Sequence, residues 1–275
     1  MRLSLLLALV FSAAASAQPG SWLPFSQGTD AVSITSSHIT FDSDTVDGFS
    51  PLSNATFLEG RFGDRVQVIL DLPAAYTAFD ESFGPFEGTE SAFVLGNPYL
   101  GVETRLGSGM ILGIGARAPI VETVIDVDRN DFTALSYGAS ATSDRIGAFT
   151  PETATLAGTL GYEYLASSDV SIEARVIPQV LIPVTEGRDT ELFGSYTLQL
   201  RALVGPAELS LGARGTGILT EDTGSASRFD HFVGIAGELP VGGLRPGIYA
   251  EIPVSGDFGN AVNAIVGIGV SVDLD

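Results

Sequence analysis

The residue types able to do chemistry are sparse in this sequence. It holds two histidines and no cysteine. His38 sits in ITSSHITF beside Ser36 and Ser37, and His231 sits in RFDHFVG beside Asp230 and near Ser227. A serine hydrolase needs hydroxyl and imidazole within hydrogen-bond reach, a third group orienting the ring, and an oxyanion hole. In an extended chain successive residues point to opposite faces, so Asp230 cannot orient His231. No spacing marks Ser36 or Ser37 as a nucleophile. The sequence therefore reads as not an enzyme, with a lipid hydrolase the third-ranked reading. Asp126-Val127-Asp128-Arg129-Asn130 opens like a calcium loop. Asp131 then stands where that loop needs glycine, and Tyr137 where it needs a bidentate glutamate. No metal site is expected; calcium at Asp126, Asp128 and Asn130 is the one alternative to a solvated acidic loop. Gly113-Ile114-Gly115 and Gly267-Ile268-Gly269 lack the following helix of a phosphate-binding turn, so no cofactor is expected either.

The remaining reactive groups are arginines and carboxylates placed at every second residue. In PAELSLGARGTGIL (206–219), Leu209 and Leu211 alternate with Glu208 and, further on, Arg214. A period of two is a strand with one apolar and one polar face. Similar alternation fills 32–41, 53–62, 64–72, 93–106, 109–121, 153–166, 169–184, 190–204, 206–220, 228–239, 243–254 and 261–274. One face of these strands carries almost no charge. The other collects Arg61, Arg105, Arg117, Arg175, Arg201, Arg214 and Arg245 against Glu59, Asp71, Glu103, Glu163, Glu173, Glu208, Glu238 and Glu251. Charges held together in a narrow space must be paired or hydrated, and arginine suits bidentate carboxylate pairing. Arg61, Glu103, Arg105, Arg117, Glu173, Arg175, Arg201, Glu208, Arg214, Glu238, Arg245 and Glu251 are expected to line an interior, as a structural network first and as a selectivity lining second.

Connections decide which face meets what. Gly63-Asp64, Gly107-Ser108-Gly109, Ser167-Ser168-Asp169, Gly205-Pro206 and Val241-Gly242-Gly243 are tight-turn residues at every second junction. The intervening junctions, 42–52, 73–92, 122–152, 185–189, 221–227 and 255–260, are longer. Alternating short and long connections, an even strand count and strands of bilayer-crossing length describe an all-β, twelve-stranded antiparallel up-and-down transmembrane β-barrel. The leucines then face lipid and the charges face inward. Tyr76, Phe79, Phe93, Tyr162, Tyr164, Phe193 and Phe229, near strand ends, are expected in interfacial girdles.

Residues 1–17 read as a secretory signal peptide, with Arg2, the apolar run 3–11 and Ala15-Ser16-Ala17 before Gln18. Residues 18–31 follow as a periplasmic segment and 32–275 as the barrel. The localisation implied is the outer membrane of a Gram-negative-type bacterium. The 275 residues carry a net charge of −20, and the 13 basic residues are all arginine. That acidity excludes binding to nucleic-acid phosphates. Acids crowd the long junctions: Asp42, Asp44, Asp47, Asp80, Glu81, Glu87, Glu90, Glu122, Asp126, Asp128, Asp131, Asp144 and Glu152. These acidic loops, taken as an extracellular rim, could attract divalent cations or suit a saline habitat. Partners expected are outer-membrane lipid and a small solute; nothing in the sequence fixes the oligomeric state.

LGNPYLGVETRLGSGMILGIGARAPI (95–120) resembles the outer-membrane barrels of the meta-pathway phenol-degradation transporter family. Gly96-Asn97-Pro98-Tyr99-Leu100-Gly101, the tight turn and Pro119 carry the likeness. The resemblance implies a pore for small solutes, hydrophobic ones included. Outer-membrane barrels commonly end in an aromatic residue, whereas this chain reads Ser271-Val272-Asp273-Leu274-Asp275. A passive channel is the first reading, and a structural or adhesive barrel with a plugged lumen is the second.

Overall fold

A computed structural model describes residues 30–41, 50–83, 86–122, 129–220, 229–255 and 262–274, with the backbone alone at 79–83, 86–90 and 129–130. The expected signal peptide at 1–17 and much of the acidic junctions lie outside these residues. Thirteen strands form: β1 Ala31–Phe41, β2 Asn54–Phe62, β3 Val66–Phe83, β4 Phe86–Leu95, β5 Tyr99–Arg105, β6 Met110–Arg117, β7 Thr153–Leu165, β8 Val170–Pro183, β9 Glu191–Val204, β10 Ala207–Ile218, β11 Phe229–Glu238, β12 Leu244–Ser255 and β13 Val262–Asp273. Helix α1, Arg129–Ala141, and a 3-10 segment, Ser143–Ala148, lie between β6 and β7.

Twelve strands close into one antiparallel ring, sealed by β1 against β13 from Ala31↔Asp273 to Phe41↔Val262. Closure matters because an open edge would leave unpaired backbone groups in a medium without water. Strand β4 lies outside the ring. It pairs with the far half of β3 (Ala74↔Leu95 to Phe83↔Phe86), while β5 takes the near half (Val66↔Thr104 to Asp71↔Tyr99). Connections alternate short and long as the turn residues require. Gly63, Gly109, Gly205 and Gly242 have positive φ (108°, 86°, 63° and 65°), a conformation that side-chain-bearing residues resist.

Burial is inverted relative to a water-soluble sheet. Leu58, Leu70, Leu160, Leu198, Leu211, Ile235 and Ile268 stand exposed on the outer wall, while Asp71, Glu103, Arg117, Glu173, Arg175 and Arg214 are buried. Outward apolar and inward charged side chains are what lipid outside the ring demands.

Two expectations change. The junction 73–92 is not a loop, because β3 continues to Phe83 and returns as β4; its alternation is masked by small and acidic residues, which a hairpin beyond the ring can carry. The segment 93–106 is not one strand, because Gly96-Asn97-Pro98 breaks it between β4 and β5. Among the aromatics, Phe93, Tyr162 and Tyr164 are exposed, whereas Phe193 is buried on the inner face. Its neighbours Ser195 and Thr197 share that face by the period of two.

An arginine on the outer wall tests the assignment of faces. Leu160→Arg should destabilise the folded barrel in vesicles by about 2–4 kcal/mol if position 160 sits near the bilayer midplane. Urea titration of vesicle-refolded protein measures this, and an unchanged midpoint contradicts the assignment.

Candidate functional site

The inner charges form a network rather than scattered pairs. Arg117 Nη2 lies 2.7 Å from Asp71 Oδ2. Arg61 meets Glu59 at 2.6 Å and Glu103 at 3.8 Å. Arg175 holds Glu103 at 2.8 Å and Glu173 at 2.5 Å. Glu173 also takes Arg201 at 3.2 Å and Arg105 at 3.2 Å, and Arg105 reaches Glu163 as well. Strand order explains the continuity: β2, β3, β5, β6, β7, β8 and β9 are consecutive in the ring, so alternate inward residues meet across each ladder. Arg214 on β10 pairs separately with Glu251 on β12 at 2.5 Å.

The expected residues are not all brought together. Arg245 pairs with Asp273 at 3.2 Å, a partner absent from the sequence-derived set. Glu208 and Glu238 face each other across the β10–β11 ladder. Neither forms an ion pair among the described residues; Glu238 instead accepts from the Ser271 hydroxyl at 3.4 Å. Glycines on this face make room for tyrosines and, at Gly161, for the Arg175 side chain, whose Cγ would lie 3.0 Å from an added Cβ. A Cβ at Gly115 would lie 2.2 Å from the Tyr99 hydroxyl, and one at Gly267 would lie 2.0 Å from the Tyr249 ring.

What the sequence missed is the segment between β6 and β7, expected in the acidic rim. Its 129–149 stretch enters the ring and fills the loop end. Leu135, Tyr137, Ala141, Ala148 and Phe149 pack with Ile39, Phe57, Phe232, Val262 and Ile265 of the wall in one apolar cluster. Asp144 and Arg145, assigned by sequence to solvent and to nothing respectively, lie in the interior. Arg145 lies 3.7 Å from both Glu59 and Asp71 and stacks over Phe57 at 4.4 Å from the ring centre. Asp144 takes Arg214 at 3.1 Å. Thr216 donates to the Ser143 carbonyl at 3.1 Å, and Gln179 donates to the Asp144 carbonyl at 3.1 Å. The inserted segment thus spans the ring from β2 and β3 to β10. An Asp-Arg pair flanked by small residues and Phe149 was the available cue, outweighed by the acids around it. Between the segment and the wall, a cavity of about 30 Å³ is lined by Ser37, Asp144, Arg145, Arg214 and Glu251 among others. It has room for about one water.

Two polar side chains fix the insert. Asn97, fully buried, accepts from the amides of Ile120 (2.9 Å) and Val121 (3.0 Å). Its own amide donates to the carbonyls of Gly147 (3.0 Å) and Thr150 (2.8 Å), so one side chain clips both ends of the segment. Gly96 beside it leaves the space that the Ala148 carbonyl occupies. The second fixture is Tyr137. The β1–β2 ladder stops at Ser37↔Ala55. There the Tyr137 hydroxyl accepts from the Ile39 amide and donates to the Ser53 carbonyl, both at 2.9 Å, standing in for a missing rung. Burial pushes the Tyr137 phenol up to about 12, so it stays protonated as that bridge requires.

The histidines face outward on the wall. His38 Nδ1 donates to the Ser53 carbonyl at 2.7 Å, and His231 Nδ1 shares a 2.7 Å hydrogen bond with the Tyr196 hydroxyl. Asp126 and Asp128 lie outside the described residues, as does the side chain of Asn130.

No protein-family model and no curated sequence matches this chain. Solved structures do. An outer membrane channel from Pseudomonas putida F1 superposes with a TM-score of 0.59 at 12% identity, covering 94% of this chain and 100% of that one. The Pseudomonas putida toluene transporter TodX gives 0.47 at 9% identity over 94% of each chain. LpxR from Salmonella typhimurium gives 0.43 at 9% identity over 89% of this chain and 100% of its own. The first likeness establishes a shared fold. The expectation that the chain is not an enzyme is corrected: the shared barrel fold does not decide for or against catalysis.

Removing one partner of a buried pair strands the other. Arg117→Met should cost about 3 kcal/mol, the lower end for a broken buried pair, because Asp71 keeps only the longer 3.7 Å contact to Arg145. The double variant Arg117→Met with Asp71→Leu should recover most of that loss. Equal midpoints for single variant and native protein in vesicle refolding would show that the pair is not desolvated.

Proposed function

We propose that this chain is an outer-membrane channel through which small solutes, hydrophobic ones included, pass by displacement of the segment at 129–149. The observation that carries this reading is the combination of a closed ring, an apolar outer wall and a charged interior entered by a clipped loop. The apolar wall supports residence in a membrane, and the turn asymmetry supports an outer membrane. The fold shared with the Pseudomonas putida channel supports transport. Gly96 and Asn97, two of the residues that carry the likeness to the phenol-degradation transporters, also hold the insert. In a channel, the Arg–carboxylate lining would set which solutes cross, since fixed charge in a narrow pore selects by sign and hydrogen bonding.

A second reading is favoured by one specific observation. The cavity beside Arg145 and Arg214 is water-sized, so a barrel that never moves its insert would be a closed structural or adhesive element. The readings part in proteoliposomes. A channel gives solute flux above protein-free vesicles, and Asn97→Ala or Arg145→Ala raises it several-fold by loosening the insert, while Arg214→Ala alters ion preference. Impermeability of the native protein and of all three variants rejects the channel and leaves the structural barrel.

A further inference from the structure

A cavity of about 750 Å³ lies on the outer wall and not inside the ring. One lateral row of outward positions generates it. Leu209 registers with Gly237, Gly237 with Ile248, Ile248 with Ile268, Ile268 with Ser36, and Ser36 with Thr56. The row therefore crosses β10, β11, β12, β13, β1 and β2. Small residues, Gly237 and Ala250, lower its floor between taller isoleucines. Five interstrand steps of about 4.8 Å make it roughly 24 Å long, the order of one extended long acyl chain. It rises from the tight-turn end of β10 to the long-loop end of β1 and β2, where Pro51 and Leu52 cap it.

Its two ends differ chemically. Leu209, Ile235, Ile248 and Ile268 present only hydrocarbon, and all four are exposed. The upper end holds Ser36, His38 and Asn54. Because His38 Nδ1 donates to the Ser53 carbonyl, Nε2 carries the lone pair and can accept. Ser36 and Asn54 are already tied together through the Thr56 hydroxyl, at 3.1 Å and 2.8 Å, which fixes the polar end in place. Among the described residues no arginine, aspartate or glutamate lines the groove, so these residues offer hydrocarbon and hydrogen bonds rather than fixed charge. An ester or hydroxyl finds partners here.

We propose that this groove is a specific seat for one membrane lipid, with a single acyl chain along Ile268, Ile248 and Leu209 and its ester region at His38 and Asn54. The bilayer is the source because the groove is continuous with the apolar outer wall. The inference rests on the reading of the chain as a membrane barrel and is independent of transport.

The test uses the full-length barrel, washed free of native lipid and then exposed to dipalmitoyl phosphatidylethanolamine or to palmitate, with native mass spectrometry as readout. One phosphatidylethanolamine should remain per barrel. Gly237→Phe and Ala250→Phe should cut that population at least about five-fold, the lower end of what overpacking a filled site costs. Leu156→Phe and Leu160→Phe, both exposed on β7 across the ring, should leave it unchanged. Heat-modifiable gel migration of the same samples reports whether each variant is a folded barrel, so loss of the barrel is told apart from loss of the seat. A second measurement keeps the proposal exposed if the phenylalanine variants fail to fold. With Trp22 replaced by Phe, Ile248→Trp should be quenched by sparse brominated-chain lipid more strongly than Leu160→Trp. Equal loss in groove and far-wall variants, equal quenching, no retained lipid, or palmitate retained in place of the lipid would each overturn it.

Discussion

Charge brought inside the ring must be neutralised there, and most of this structure follows from that constraint. A β-strand in a bilayer alternates lipid-facing with inward residues, so whatever is polar on a strand is delivered to a common interior. Here that interior receives arginines and carboxylates in comparable number, and from Arg117 through Arg61 to Arg201 they neutralise one another across successive ladders. Such networks add little net stability over apolar packing, because desolvation offsets attraction, but they penalise misregister heavily. Slipping a strand by one residue would place arginine in hydrocarbon and leucine among carboxylates. The network is therefore best regarded as what fixes strand register around the closed sheet.

The insert obeys the same rule from the other side. A loop entering a polar interior must bring its own counter-charges, and Asp144 and Arg145 do so, each to a wall partner of opposite sign. The apolar remainder of the insert has a separate destination, the cluster around Phe57, Phe149 and Phe232 at the loop end. Tyr137 serves both environments, with its ring among hydrocarbons and its hydroxyl in the gap between β1 and β2.

The ring was legible in the sequence because its rule is local. Period-two alternation at Leu209–Arg214 or Ile172–Arg175 and the positive-φ turn glycines each follow from a few neighbouring residues. Inward residues such as Arg175 and Glu103 could be named for the same reason. The insert was not legible, since nothing local distinguishes Asp144 in a solvated loop from Asp144 beside Arg214 seventy residues away in sequence. Asn97 was noticed only as part of a resemblance; its four hydrogen bonds depend on residues 120–150 returning to it. Strand β4 was hidden because a hairpin projecting beyond the ring need not keep an apolar face.

The insert's anchors lie on opposite sides of the ring, at Glu59 and Asp71 on one wall and at Arg214 and Thr216 on the other. Mechanically this is a spoke. A thin-walled cylinder of twelve hydrogen-bonded staves deforms most easily by flattening into an ellipse, which changes one diameter at the expense of the perpendicular one. A tie across one diameter resists that mode while leaving shear between staves almost unaffected. The cross-section of this barrel is thus set from within as well as by its strand number, and lateral pressure from the bilayer would be borne partly by the segment tied across the interior.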